Sequence, residues 1–298
     1  MSSSKTVLVT GASGFVGRAL VHRLHARGFA VLGTTTQATP ANDADVEWIR
    51  WDAQDALVPD VDWAAVDVVV HLANPRTAMA ASNTSLRRVA VSATGALLER
   101  AQAHGAHFIF SSSGDALGPR HQPIAETDVD YQPVSAYGAA KAEGERLVRA
   151  AARSAVLRLF HPYGPGGDAF LVNRLVRRVQ TRQEISLEGR DGILVNPTWI
   201  DDLCAAFEAC ITRGGSGVYN IAGPTTMSLR AILEIAGQLL GVTPILRVEP
   251  TVPACRVALM ELARRELHYL PTITLEQGLR RLIDGMRAGA TDPTSHQQ

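Results

Sequence analysis

"KTVLVTGASGFVG", Lys5 to Gly17, decides the reading of this chain. Its unbroken apolar and β-branched run predicts a strand buried on both faces. Beyond it Val16, Leu20, Val21 and Leu24 recur at helical spacing, and Gly28 is a C-terminal stop. Between strand and helix stand Gly11, Gly14 and Gly17. Gly11 permits a tight turn. Gly14 lets the backbone approach an anion at the helix N-terminus, where N–H groups and the dipole favour negative charge. Gly17 lets the helix pack close on the strand. A dinucleotide pyrophosphate suits such a turn, which makes Gly11, Gly14, Phe15, Val16 and Gly17 candidate cofactor-binding residues. The spacing is GxxGxxG rather than the commoner GxGxxG. Three glycines could serve a purely structural turn; their place between the first strand and the first helix favours the dinucleotide.

Working outward, "FAVLGTTT", "VEWIRWD", "VDVVVHLA", "AHFIFSSS" and "SAVLRLF" read as further strands. "TSLRRVAVSATGALLERAQAHG" and "SAYGAAKAEGERLVRAAAR" read as helices. Buried strands alternating with helices predict an α/β fold with a doubly wound parallel sheet. The rhythm breaks after "HPYGPGG", His161 to Gly167. The expected division is a dinucleotide-binding domain over 1–162 and a smaller α/β substrate lobe over 163–290. Strands from about 194–221 are expected to return to the first sheet. The polar tail, 291–298, is expected to be disordered.

Composition excludes several classes. Acidic and basic residues number 29 each among 298, which gives no hint of a nucleic-acid or acidic-membrane partner. The longest apolar runs are too short to span a bilayer. The N-terminus enters a strand at once, without room for a signal peptide. Cys204, Cys210 and Cys255 are odd in number and lack CxxC spacing, as in a cytoplasmic chain with reduced thiols. With no metal-ligand motif, no metal is expected.

The chemistry centres on "VSAYGAAKAEGERL", where Tyr137 and Lys141 share one helix face. A useful tyrosinate requires the phenol pKa to fall from about 10 to near 7, worth about 4 kcal/mol. The ammonium one turn away is expected to supply part of that. Ser111, Ser112 and Ser113 end the fifth strand at the edge where such sheets bind ligands. Asp52, at the end of the third strand, could accept from an adenine amino group. Leu72 and Ala73 offer an apolar floor, and His71 reads as a packed strand-end histidine.

The motifs "TGASGFVG", "HLA", "FSSSGDALG", "YGAAK", "LRLFHPYGPG", "WIDDL" and "RRELHYLPTITLEQGLRRLI" together resemble an extended short-chain dehydrogenase/reductase of the NAD-dependent epimerase/dehydratase family, which includes the UDP-galactose 4-epimerases. The resemblance covers nearly the whole chain and implies a Rossmann fold. It also implies Ser113 as the catalytic serine, Tyr137 as acid/base, and Lys141 as the residue that binds the nicotinamide ribose and lowers the tyrosine pKa. Ala53 and Pro162 join the implied cofactor set, and Asn74 the substrate set. The implied substrate is a nucleoside-diphosphate sugar. The implied assembly is a homodimer through helices around 93–104 and 135–149.

Four departures shape the expectation. Relatives that bind NAD usually end the second strand with an acid for the ribose 2′-OH; here Thr35 stands in "GTTTQ", and with Arg18 nearby this tilts the cofactor from NAD toward NADP. The dehydratase Asp-Glu pair is Gly114-Asp115. The usual asparagine of "FNxYG" is His161, which could still bond a substrate oxygen. The diphosphate arginine before the paired aspartates is replaced near Val195, leaving Arg174, Arg178 and Arg190 as alternatives. The expected substrate-side residues are therefore Asn74, Ser113, Asp115, His161, Arg174 and Arg190. Three functions remain open: a keto-sugar reductase, an epimerase that retains NAD, and a non-catalytic dinucleotide sensor. The intact Ser113, Tyr137 and Lys141 speak against the sensor.

Overall fold

The computed structural model describes residues 4–37, 46–55, 58–75 and 82–290; the tail 291–298 lies outside them. In chain order the first half forms β1 (Thr6–Thr10), α1 (Phe15–Ala26), β2 (Ala30–Thr35), β3 (Glu47–Arg50), β4 (Val68–His71), α2 (Asn83–Arg87), α3 (Thr94–Ala103), β5 (His107–Ser113), α4 (Ala136–Arg149) and β6 (Ser154–Leu159). A π-helical stretch, Arg88–Ala93, joins α2 to α3. Then follow β7 (Pro162–Tyr163), α5 (Leu171–Gln180), β8 (Ile185–Glu188), β9 (Leu194–Val195), β10 (Thr198–Trp199), α6 (Ile200–Arg213) and β11 (Val218–Ile221). The chain ends with β12 (Met227–Ser228), α7 (Leu229–Leu240), β13 (Leu246–Glu249), β14 (Cys255–Arg256), α8 (Glu261–Glu266) and α9 (Leu275–Ala290).

Seven strands make one parallel sheet in the order β11-β6-β5-β4-β1-β2-β3. The order reverses between β1 and β4, which opens a crevice at the carboxyl ends of the strands. Both faces are covered, and for this reason the strands read as continuous apolar runs. Val7, Val9, Val70, Ile109 and Leu157 pack with Leu20 and Leu24 of α1 and with Leu203 and Phe207 of α6. Leu8, Val69, Phe108, Phe110 and Val156 face the opposite layer, with Leu97 of α3 and Val148 of α4. Each such buried side chain contributes roughly 1.5–3 kcal/mol relative to exposure.

The second half only partly follows the sequence expectation. β11 does return to the main sheet beside β6. β9 instead joins a small sheet with β12 and β14, and β10 pairs with β7. Pro197 interrupts the run between β9 and β10, and proline cannot donate to a ladder. Helix boundaries follow local chemistry. The Ser228 hydroxyl caps α7 by accepting from Ala231 N, and Gly241 ends that helix in the left-handed region at φ 69°. Thr274 and Gln277 form a reciprocal capping box at α9.

Buried carboxylates tie distant segments together, Asp202 within the second half and Glu126 across the two halves. Asp202, in "WIDDL", accepts from the backbone N–H groups of Thr272 and Ile273. Glu126 accepts from Asn220 N, Leu262 N and Ala263 N. Among the described residues no helix is long and apolar enough to cross a membrane.

Candidate active site

The glycine turn is shaped by backbone contact. Gly11 has φ 69°, and a Cβ there would sit 2.8 Å from the Ala73 Cα. A Cβ on Gly17 would lie 2.2 Å from the Gly11 carbonyl oxygen and 2.7 Å from the Ala12 Cα. No larger residue fits either place without moving backbone. Gly14 precedes α1, which has no side-chain cap and no acid in its first turn. The turn thus offers an anion uncapped helix N–H groups and unopposed dipole charge. A cleft of about 490 Å³ lies above it, lined by Ser13, Gly14, Phe15 and Arg18 and, opposite, by Gly166, Trp199 and Asp201. Phe15 meets Phe170 at a tilt with ring centroids 4.9 Å apart, so the turn also touches the second half. Val16 is half-buried beside it. These features fit a dinucleotide pyrophosphate.

The neighbouring strand ends complete that wall. Thr35 is buried; its hydroxyl donates to Ser13 Oγ at 3.3 Å and accepts from Gln37 N. Arg18 Nε donates to the Ser13 carbonyl. Asp52 is half-buried and accepts from Gln54 N at 2.9 Å, with Ala53 buried beside it. Leu72 is buried and Ala73 half-buried, with Ala73 N donating to Thr10 Oγ1. His71 is a packed residue, its Nδ1 2.6 Å from Thr10 Oγ1 and its pKa lowered by burial to about 3. Asn74 Nδ2 donates to the Leu72 carbonyl. Pro162 is buried in β7, paired with Thr198.

Two glycines of "YGAAKAEGE" set α4 against the sheet. A Cβ on Gly138 would sit 2.4 Å from the Asp115 carbonyl oxygen, and one on Gly144 2.2 Å from the Ala90 carbonyl oxygen. Between these contacts Tyr137 and Lys141 come to the end of β5. Lys141 is almost fully buried, and its Nζ donates to the Ser111 carbonyl at 2.7 Å. Nζ lies 4.9 Å from the Phe110 ring centroid and 5.9 Å from that of Tyr137. Burial lowers the ammonium pKa to about 7. Tyr137 is half-buried against Leu86, Ala90 and Ala140. Burial first, then the charge of Asp115, push the phenol above its ordinary value; a hydrogen bond with Ser113 pulls it down without offsetting them. The lysine is not one of the groups that move it. The ammonium is turned to a carbonyl and is itself weakened by burial.

Below these residues lies a buried charge network that the sequence did not disclose. Glu145, one turn past Lys141, meets Arg158 at 2.5 Å with both side chains fully buried. Ser112 Oγ and Tyr131 Oη donate to the same carboxylate at 2.8 and 2.7 Å. Ser112 is thereby committed to the scaffold. Ser113 stays half-buried at the strand end, its Oγ accepting from Asp115 N.

The opposite wall gathers Asp115, His161 and Arg256. Arg256 Nη1 donates to Asp115 Oδ1 at 2.6 Å. His161 has a left-handed φ of 45°; its pKa is lowered to about 4, chiefly by burial, with Asp115 and Arg256 acting in opposite directions. Arg256 was missed in the sequence. It pairs in parallel register with Val195, the position that lacks an arginine, so a cation stands on the neighbouring strand. Its strand is two residues long, too short to show a period. Arg174 and Arg190 are exposed, and Arg178 turns to the Glu184 carbonyl.

Residues 7–222 match the model of the NAD dependent epimerase/dehydratase family. The chain is 32% identical over 306 residues to the dTDP-glucose 4,6-dehydratase of Streptomyces griseus, covering 92% of this chain and 91% of that protein. It is 29% identical over 255 residues to the dTDP-4-dehydrorhamnose reductase of the same organism, covering 82% and 79%. The structure of MoeE5 in complex with UDP-glucuronic acid and NAD superposes with a TM-score of 0.81 at 25% identity, over 95% of this chain and 99% of that one. Decarboxylases and epimerases also stand among the matches.

Proposed function

The chain belongs to the NAD-dependent epimerase/dehydratase family and is an enzyme, and from that premise we propose that it is an NAD(P)-dependent reductase of a keto carbon on a nucleoside-diphosphate sugar. The observation that carries the reading is the meeting of Tyr137 with Ser113 at the end of β5, with Lys141 one turn further along α4 and bonded to the Ser111 carbonyl. A phenol is a proton donor, which ketone reduction requires. When bound, the cofactor supplies the hydride. Ser113 Oγ and Tyr137 Oη together hold the ketone oxygen, and Tyr137 gives its proton to that oxygen as it gains charge. Lys141 leaves the Ser111 carbonyl to hold the ribose hydroxyls, and Arg256 and His161 face the sugar diphosphate. Asp52, Ala53, Leu72, Ala73 and Pro162 complete the cofactor wall.

The cofactor reading is NADP(H) at least as well as NAD(H). Thr35 places no carboxylate where a 2′-phosphate would sit, and Arg18, in the first turn of α1, bonds the same Ser13. Direct titration checks it: NADPH is expected to bind as tightly as NADH or more so. NADH binding tenfold tighter, about 1.4 kcal/mol, would overturn the preference. A homodimer through α3 and α4, where Leu147 remains 40% exposed, belongs to the same proposal and is checked by light scattering.

A further inference from the structure

Asp115 and Arg256 come from distant parts of the chain and meet beside Tyr137 and His161. Asp115 belongs to the turn that ends β5; Arg256 belongs to β14. Their contact is 2.6 Å, yet each side chain keeps about a third of its surface exposed, 32% and 33%. Both backbones are fixed. Gly138 packs against the Asp115 carbonyl, Ser113 Oγ accepts from Asp115 N, and Arg256 is paired with Val195. The side chains, in contrast, are free to exchange partners. A partly exposed pair contributes about 1 kcal/mol or less, and a doubly charged group has more to offer a guanidinium than one carboxylate has.

We propose that the Asp115–Arg256 pair is a latch: Asp115 occupies the anion-binding side of Arg256 until a substrate diphosphate displaces it. The inference rests on the nucleoside-diphosphate reading above. It makes Asp115 an internal competitor for the substrate anion. It also joins binding to chemistry. Once Arg256 turns to the diphosphate, the Asp115 charge is left uncompensated toward Tyr137 and His161. Of the groups facing Tyr137, Ser113 keeps its place, so the added charge favours the phenol.

The test is calorimetric titration of the full-length protein with UDP in four forms: unmodified, Asp115→Asn, Arg256→Gln and the double variant. Thermal unfolding first establishes that each is folded. The expected result is that Asp115→Asn tightens UDP about three- to fivefold when Arg256 is present. In the Arg256→Gln background the same change has less than about a twofold effect. Equal tightening in both backgrounds would mean simple charge repulsion and would overturn the latch. Weaker or unchanged binding in Asp115→Asn, with UDP still bound by the unmodified protein, would show that Asp115 orients Arg256 rather than competing for it. If UDP binds none of the forms, the diphosphate reading falls and the latch falls with it.

Discussion

Replacing Lys141 with Met should stabilise the protein at neutral pH while removing its activity. The side chain is 2% exposed, and burial lowers its pKa from 10.5 to about 7. The sign follows from proton counts. Between pH 7 and 10.5 the unfolded chain holds a proton on Lys141 that the folded protein does not. Stability therefore rises with pH across that window, and the full burial penalty applies below about pH 7. At pH 7 the penalty is about 4 kcal/mol. Methionine keeps the volume and removes the charge, but it strands the Ser111 carbonyl that Nζ now meets at 2.7 Å. An unmet buried carbonyl costs about 1–3 kcal/mol. The net expectation at pH 7 is a gain of about 2 kcal/mol, or about 4 °C in Tm. Near pH 9 the charge penalty has fallen to about 2 kcal/mol, so the two proteins should unfold alike. Urea unfolding of both proteins at pH 6 to 9.5 reads this directly, since every other titrating group cancels in the difference. A variant less stable at pH 7, or a gap independent of pH, would refute the reading of Lys141 as a buried, strained cation.

Other outcomes follow from the same geometry. Tyr137→Phe should fold and bind cofactor but lose about 10²–10⁴-fold in kcat, measured with a verified substrate. Gly17→Ala drives a Cβ to within 2.2 Å of a backbone oxygen, so it should cost about 1–3 kcal/mol and weaken cofactor binding; Gly285→Ala, exposed in α9 with nothing within 4 Å, should be neutral or stabilise by up to about 1 kcal/mol. Asp115→Asn removes a charge that raises the Tyr137 pKa, so the alkaline fall of kcat/KM for ketone reduction should move to lower pH; a shift the other way contradicts the assignment.

The parallel core and glycine turn were legible because they rest on local rules. Continuous apolar runs mark strands buried on both faces, and the spacing of Gly11, Gly14 and Gly17 marks backbone approach. Helical period puts Tyr137 and Lys141 on one face, and their place after a serine-tipped strand in a chain that opens on the glycine turn made the pair legible. What stayed hidden depends on tertiary distance. The strands β7, β9, β10, β12 and β14 are two residues each and carry no readable period. Arg256 enters the site only through its pairing with β9. Spacing places a lysine near Tyr137 but cannot say where Nζ points, and in the structure it turns to the Ser111 carbonyl. The Glu145–Arg158 pair is invisible in sequence for the same reason, since charged residues on a strand and a helix ordinarily read as solvated.

The most direct test of the central claim is the stoichiometry of cofactor use. The purified protein is first inspected by absorbance for bound dinucleotide, then supplied with a 4-keto nucleotide sugar and a measured amount of NADPH or NADH. A reductase should arrive with little bound cofactor and should oxidise one NAD(P)H for each alcohol formed. Near-stoichiometric bound NAD, with two sugar epimers interconverting and no net change in NADH, would contradict the account and identify an epimerase.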